Sequence, residues 1–371
     1  MSPKQDTQVS CEMRGGKDLP GGDLDEACKG ATAGEKLLAE EIERQKSGIT
    51  HASLWIWLPG VLFLAVLLLL ALHFEELKHF AELATAADVR WLLLGAAVQA
   101  LTYVCAGGVW WLALCHAGYP MRFIGFAPLG LGKLFVDQAL PTGGVSGTIL
   151  VTAGLKNRGI PLRIAFYAML TGLFTYYSAY LASAVVCFFV IYMDHRMGSV
   201  LASTFAVFAV VALFIPLSVL LMKAFGPRFI PGWIARQRIV RILLLEIAEA
   251  PLAQLLNRRL FLGAFSFQIA IVVLDATTLW IAFKAIGRDV DVLVAFAGMV
   301  AGSIGATIGP APLGLGTYEG SAVAILAILG VPVAPSITAV ILFRGLSFWL
   351  PMVPGIWFAR RELALHKNGS P

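Results

Sequence analysis

Residues 310–321 read PAPLGLGTYEGS. Two prolines, three glycines and one glutamate stand here between two strongly apolar segments. Proline removes a backbone donor and glycine weakens a helix, so a helix ends in this stretch. Glu319 then lies in the first turn of the helix that resumes, where a carboxylate is favourable. The fold follows from why so apolar a chain stops here.

Outward from this break the chain stays apolar. Of 371 residues, 58% are hydrophobic and only 14% charged, where a soluble domain carries about a quarter. Mean hydropathy is +0.79. Apolar runs of membrane-spanning length recur, continuous rather than alternating, which points to an all-α polytopic membrane protein and away from a barrel. The five cysteines (Cys11, Cys28, Cys105, Cys115 and Cys187) show no CxxC spacing, and three lie inside apolar runs. Neither a disulfide framework nor a metal site is indicated. The net charge of +5 suits basic cytoplasmic loops, and no basic patch with interleaved aromatics suggests nucleic acid. Residues 1–50 are polar and read as a largely disordered cytoplasmic tail with a short polar helix near 35–47.

Six full spans are expected, at roughly 52–74, 91–117, 162–192, 198–224, 261–287 and 333–359. Two apolar stretches, 121–160 and 291–331, are broken in the middle by Pro and Gly. Their halves are short for a full crossing at 1.5 Å per residue. The loop 225–260 carries Arg228, Arg236, Arg238, Arg241, Arg258 and Arg259, and Arg360, Arg361 and Lys367 follow the last span. These belong on the cytoplasmic side. The loop 75–90, with Glu75, Glu76, Glu82 and Asp88, belongs outside. Six spans from a cytoplasmic N-terminus satisfy every loop if both broken stretches are re-entrant hairpins. Short, tilted full helices, giving ten spans, preserve the same parity; hairpins are the preferred reading. Within 225–260, residues 236–260 are amphipathic and read as lying along the inner membrane surface, or as a plain connecting helix.

The two broken stretches match each other. Pro141, Gly143, Gly159 and Pro161 reappear 171 residues later as Pro312, Gly314, Gly330 and Pro332. The preceding spans match at an offset of 169: Gln99, Trp111 and Gly118 correspond to Gln268, Trp280 and Gly287. The expected organisation is therefore two repeats, 51–192 with hairpin 121–160 and 193–360 with hairpin 291–331, then a tail 361–371. Three spans separate corresponding points, so the repeats are inverted, with hairpin one entering from the cytoplasm and hairpin two from outside. Interrupted helices in inverted repeats are a transporter design, and half-helix N-termini at mid-membrane suit an anionic group.

A charge at membrane depth needs a partner or a role. Lys133 and Asp137, spaced i,i+4, share a face on the rising arm of hairpin one. Glu319 begins the returning arm of hairpin two, and Arg344 and Asp275 lie near the middles of their spans. One reading is a polar cavity at the tips (Pro141, Gly143, Gly144, Pro312, Gly314 and Gly316). There Arg344 and Lys133 bind an anionic headgroup, with Asp137, Gln138, Thr142, Tyr318 and Glu319 around it. Asp137, Asp275 and Glu319 are then candidates for proton or ion coupling. The other reading is that Lys133–Asp137 and Glu319–Arg344 are buried pairs that brace the fold, and that Asp275 is a structural acid beside Thr277 and Thr278. Ser146 and Thr148 add neutral polar groups near the first tip. Trp110, Trp111, Trp280 and His116 read as interfacial anchors.

LFVDQALPTGGVSG (134–147) with the later KNRGIP, and PAPLGLGTYEGSAVAILAILGVP (310–332) followed by LFRGLSFWLP, resemble two signatures of the lysylphosphatidylglycerol synthase transmembrane-region family. Pro312, Gly314, Gly316, Glu319, Arg344, Phe348 and Trp349 match the second; Leu315 stands where a second glycine is common. The resemblance covers about 52–360. It implies movement of lipids or lipid-linked headgroups between leaflets, with substrates that vary among members. Synthase members carry an aminoacyl-transferase domain after the membrane part. This chain ends eleven residues past Arg360, so no enzyme activity of its own is expected, and any lipid-modifying enzyme would be a separately encoded partner.

The expectation is a lipid flippase of the inner (cell) membrane with both termini cytoplasmic. It needs no cofactor; no GxxxxGK[ST] phosphate loop occurs. The alternatives are an ion-coupled small-solute carrier and an integral-membrane lipid-modifying enzyme.

Overall fold

The computed structural model describes residues 87–139, 145–193, 257–308 and 314–352, with parts of 203–217 and 354–358. The expected tail 1–50, the span 52–74, the segment 225–256 and the tip residues 140–144 and 309–313 lie outside the described residues, and of the span 198–224 only helical pieces are described.

Among the described residues every regular element is helical. In hydrocarbon no water satisfies a backbone N–H or C=O, so a spanning segment must bond to itself. The chain forms α1 (Val89–His116), a 3₁₀ turn (Phe123–Phe126), α2 (Ala127–Ala139), α3 (Val145–Lys156) and α4 (Leu162–Met193). It continues as α5 (Arg258–Ala285), α6 (Val292–Ile308), α7 (Thr317–Ile328) and α8 (Val333–Arg344). α8 runs on through a π-helical turn, Gly345–Trp349, so that Val333–Met352 forms one 20-residue span. α1, α4, α5 and this last helix are long and apolar enough to cross a membrane; the protein is multi-pass. α2, α3 and α7 have 13, 12 and 12 residues, about 18–20 Å each, against a hydrocarbon core of ~30 Å. α6 has 17 residues and reaches about 25 Å.

Local signals set the ends. Asp88 Oδ1 accepts from Arg90 N at 2.9 Å before α1, and Asn257 Oδ1 from Arg259 N at 3.0 Å before α5. Past the C-termini, Gly118 and Gly287 hold φ of 84° and 70°, and Gly159 and Gly330 hold 79° and 88°. In this left-handed conformation the next residue bonds back onto the last turn: Tyr119 N to Leu114 O and Arg288 N to Phe283 O, and likewise Ile160 N to Leu155 O and Val331 N to Leu326 O. The tryptophans follow the same spacing. Trp111 Nε1 donates to Met121 O at 2.9 Å, and Trp280 Nε1 to Val290 O at 3.1 Å.

α1 and α5 form the central pair, packed along their length. Small residues allow the approach: Gly108 faces the Phe267 ring and Gly263 faces Leu112. α6 and α7 run antiparallel. Gly298, Gly302 and Gly305 on α6 face Leu326, Tyr318 and Ser321 on α7. A core of Phe283, Val300, Leu326 and Phe343 joins α5 to α8, and a second core of Leu114, Leu155 and Tyr167 joins α1, α3 and α4. Large apolar side chains such as Leu93, Phe189, Val273 and Leu350 point outward, as on a surface that meets acyl chains.

Candidate functional site

The helix that resumes after PAPLGLGTYEGS begins at Thr317, with Gly316 as its cap at φ 80°. Gly316 has no side chain, so the backbone N–H groups at this helix start lack a capping partner from it. Glu319 supplies one. Its Oε2 accepts from Gly316 N at 2.7 Å, the carboxylate half of a capping box. Its Oε1 accepts from Arg344 Nε at 2.9 Å. The pair expected from the sequence therefore forms, across two helices. Arg344 and Glu319 are 12% and 14% exposed, enough burial to make the pairing matter.

Aromatic rings complete the setting of Arg344. Its guanidinium lies 4.2 Å from the centre of the Phe348 ring and 5.0 Å from that of Tyr318, favourable to a cation with few waters. Tyr318 stacks on Phe343 at 5.8 Å, and its ring fills the space beside Gly302. Phe348 belongs to the π-helical turn. The sequence suggested an unbroken last span; the structure widens it there, and Leu350 N bonds back to Gly345 O, five residues earlier. Such turns recur where a helix serves a site. The widened turn also turns the Ser347 carbonyl toward α1, where Tyr103 donates to it at 2.9 Å.

A second polar group is half-buried on α5. Asp275 on α5 accepts from Gln99 Nε2 at 3.0 Å. Gln99, on α1, is 4% exposed and also donates to Thr102 Oγ1 at 3.1 Å. Thr277 and Thr278, which the sequence placed beside Asp275, instead donate to Val273 O and Leu274 O one turn back. Tyr103, Tyr176, Tyr180 and Tyr318 all lie within electrostatic reach of the Asp275 carboxylate. Sequence reasoning noted Gln99 only as a repeat marker and missed Thr102, Tyr103, Tyr176 and Tyr180. The available signal was a lone amide in an apolar run, which demands a partner.

The remaining candidates divide by what is described. Lys133 is half-buried on α2, with Asp137 and Gln138 on the next turn of the same helix. The side chains of Asp137 and Gln138, together with Pro141, Thr142, Gly143, Gly144 and Pro312, lie outside the described residues. Gly314 holds φ 65°, and a Cβ there would lie 2.6 Å from Ala306 Cβ, so the second tip is pressed against α6. Trp110 packs beside Gly172. Among the described residues no three His, Cys, Asp or Glu side chains stand together as metal ligands do.

Residues 57–355 match the model of a family described as the lysylphosphatidylglycerol synthase transmembrane region. No curated protein matches the chain.

Proposed function

The chain belongs to the lysylphosphatidylglycerol synthase transmembrane-region family, and from that premise we propose that it moves lipids with an anionic headgroup between the leaflets of the cell membrane. Family membership makes it a membrane protein concerned with lipids. The observation that carries the finer reading is the Glu319–Arg344 pair. An arginine half-way along a membrane-length helix meets the free end of a half-helix, and both are positive. Glu319 occupies the guanidinium as an internal anion. A phosphate diester offers the same two-oxygen acceptor and can take its place. Lys133, Asp137, Gln138, Thr142 and Tyr318 are assigned to the same headgroup path.

Two further readings accompany it. Helices of 12 to 17 residues in α3, α6 and α7 favour re-entrant hairpins over full crossings. Equivalent caps, turn hydrogen bonds and tryptophan bonds at matching offsets favour two repeats, inverted by the span count. Rocking of one repeat against the other would then expose the tips alternately. The chain is read as a transporter rather than an enzyme, in the inner membrane, with cytoplasmic termini.

The test is translocation of a fluorescent phosphatidylglycerol in proteoliposomes, read by quenching of the outer leaflet. Arg344→Ala is expected to abolish translocation while the protein still inserts. Wild-type rates in that variant would sink the headgroup role. Movement of a water-soluble anion without lipid movement would favour the small-solute carrier.

A further inference from the structure

The last span contains a proline that cannot take part in its hydrogen bonding. Pro351 is buried and helical, two residues past the π-helical turn Gly345–Trp349. In a continuous α-helix the amide of residue 351 would donate to the Ser347 carbonyl, four residues back. Proline has no N–H, and its ring crowds that same carbonyl. A helix can answer with a kink or an inserted group; here it widens, and Leu350 N bonds to Gly345 O. The α-helical donor to Ser347 stays missing, because residue 351 has none to give. An unpaired carbonyl inside a membrane-spanning helix is costly, since hydrocarbon offers no water. The donor comes from another helix. Tyr103 Oη, on a half-buried side chain of α1, donates to Ser347 O at 2.9 Å.

A second contact with α1 holds the same turn. A Cβ on Gly95 would stand 2.8 Å from Leu346 Cδ1, so Leu346 sits in the notch that Gly95 leaves. Arg344 immediately precedes the turn. Phe348, within the turn, faces the Arg344 guanidinium at 4.2 Å and meets Trp349 edge-on at 4.9 Å. One residue is about 100° of rotation at 3.6 residues per turn. A turn that slipped back to α-helical width would therefore carry Phe348 off the guanidinium. The other broken stretch leads into a helix that serves as a comparison. At the offset of 171, Pro351 corresponds to Tyr180, and α4 runs as unbroken α-helix from Leu162 to Met193. At the offset of 169, Tyr103 corresponds to Val272, which has no hydroxyl. The equivalent places have neither proline, wide turn nor hydroxyl donor.

We propose that Tyr103 is a positioning residue for Arg344: its hydroxyl replaces the amide that Pro351 lacks, holds the wide turn of α8 against α1, and so fixes Phe348 against the guanidinium. A cation already held in place binds an anion without the cost of ordering it. That this anion is a lipid headgroup rests on the transport reading; the positioning of Arg344 does not. In the two-repeat reading Tyr103 and Ser347 belong to different repeats, and rocking reaches Arg344 through this bond.

Two readouts on the full-length protein in mixed micelles test this. The first is the NMR signal of the Arg344 Nε–H in protein with isotope-labelled arginine, identified by its loss in Arg344→Gln; it senses the Phe348 ring. The second is affinity for dihexanoyl phosphatidylglycerol. Tyr103→Phe removes one hydroxyl and keeps the ring. It is expected to move the signal and to weaken the lipid about two- to tenfold, the span of one neutral hydrogen bond. An unmoved signal overturns the positioning role. Pro351→Ala gives Ser347 an amide donor on its own helix, so in that background Tyr103→Phe should change neither readout. A change as large as in wild type overturns the proposal, because a tyrosine that only packs would act equally in both. If Tyr103→Phe alone does not fold, the double variant decides: folding with Pro351→Ala supports the role, and failure to fold overturns it. A moved signal in a protein whose wild type binds no phosphatidylglycerol keeps the positioning of Arg344 and sinks the headgroup reading. Lipid bound equally by wild type and Tyr103→Phe, despite a moved signal, keeps that reading and overturns the part of Tyr103 in it.

Discussion

Glu319→Ala removes a carboxylate that serves two donors, Gly316 N–H at 2.7 Å and Arg344 Nε at 2.9 Å. Deleting one partner of a buried ion pair costs about 3–5 kcal/mol, because the other charge is left uncompensated. Two features place Glu319→Ala near the lower end. The pair retains 12% and 14% exposure, and the rings of Phe348 and Tyr318 still face the guanidinium. The expected loss is about 3 kcal/mol, of which ~1 kcal/mol is the lost helix cap. Glu319→Gln keeps an oxygen for one donor and loses the charge, so about 2 kcal/mol is expected, in the range of a charge-assisted hydrogen bond. The double variant Glu319→Gln with Arg344→Gln leaves no unpaired charge. It should be less destabilised than the sum of its singles, with a coupling of about 1–3 kcal/mol. Unfolding in mixed micelles, read by tryptophan fluorescence, gives all four corners of the cycle. Glu319→Gln should also retain more anionic lipid through purification, since the internal competitor for Arg344 has lost its charge. Singles within about 0.5 kcal/mol of wild type, or strictly additive losses, would refute the view that these residues act as one unit.

Two other expectations follow from the α6–α7 packing and from the topology. Gly302→Ala puts a methyl 2.8 Å from the Tyr318 ring, whereas Gly320→Ala on α7 meets nothing within 4 Å. The first should cost about 1–3 kcal/mol by overpacking, while the second should gain ~0.5–1 kcal/mol by helix propensity; equal effects in the same unfolding assay would contradict the close approach. In a background with all five cysteines replaced, a cysteine at position 143 should label from the cytoplasm and one at 315 from outside, and the reverse pattern overturns the inverted topology.

Much of this protein was legible before any coordinates. Proline and glycine are local instructions, so the restarts near 145 and 317 fell where α3 and α7 begin, at Val145 and Thr317. The four described spans lie within a few residues of their expected ranges, apart from the C-terminal end of the last. Glu319 and Arg344 were legible as a pair because each is a lone charge in an apolar run. The π-helical turn was not legible, since GLSFW carries no residue that forbids an α-helix. The polar cluster at Asp275 was also missed. Its threonine neighbours in sequence bond to their own helix, and its true partner stands 176 residues away.

The sequence by itself determined that the chain is helical, lies in a membrane, and breaks in the middle of two apolar stretches. These follow from composition and from backbone chemistry within a few residues. Only the tertiary structure decided which faces meet. In a soluble helix the polar face marks the outside. Here α1, α4 and α5 carry single polar residues but no continuous polar face, because lipid and protein interior make the same demand on most side chains. Whether Gln99 faces Asp275 or acyl chains is therefore set by how the glycines of α1 and α5 let the two helices close, a property of the pair that neither segment carries alone.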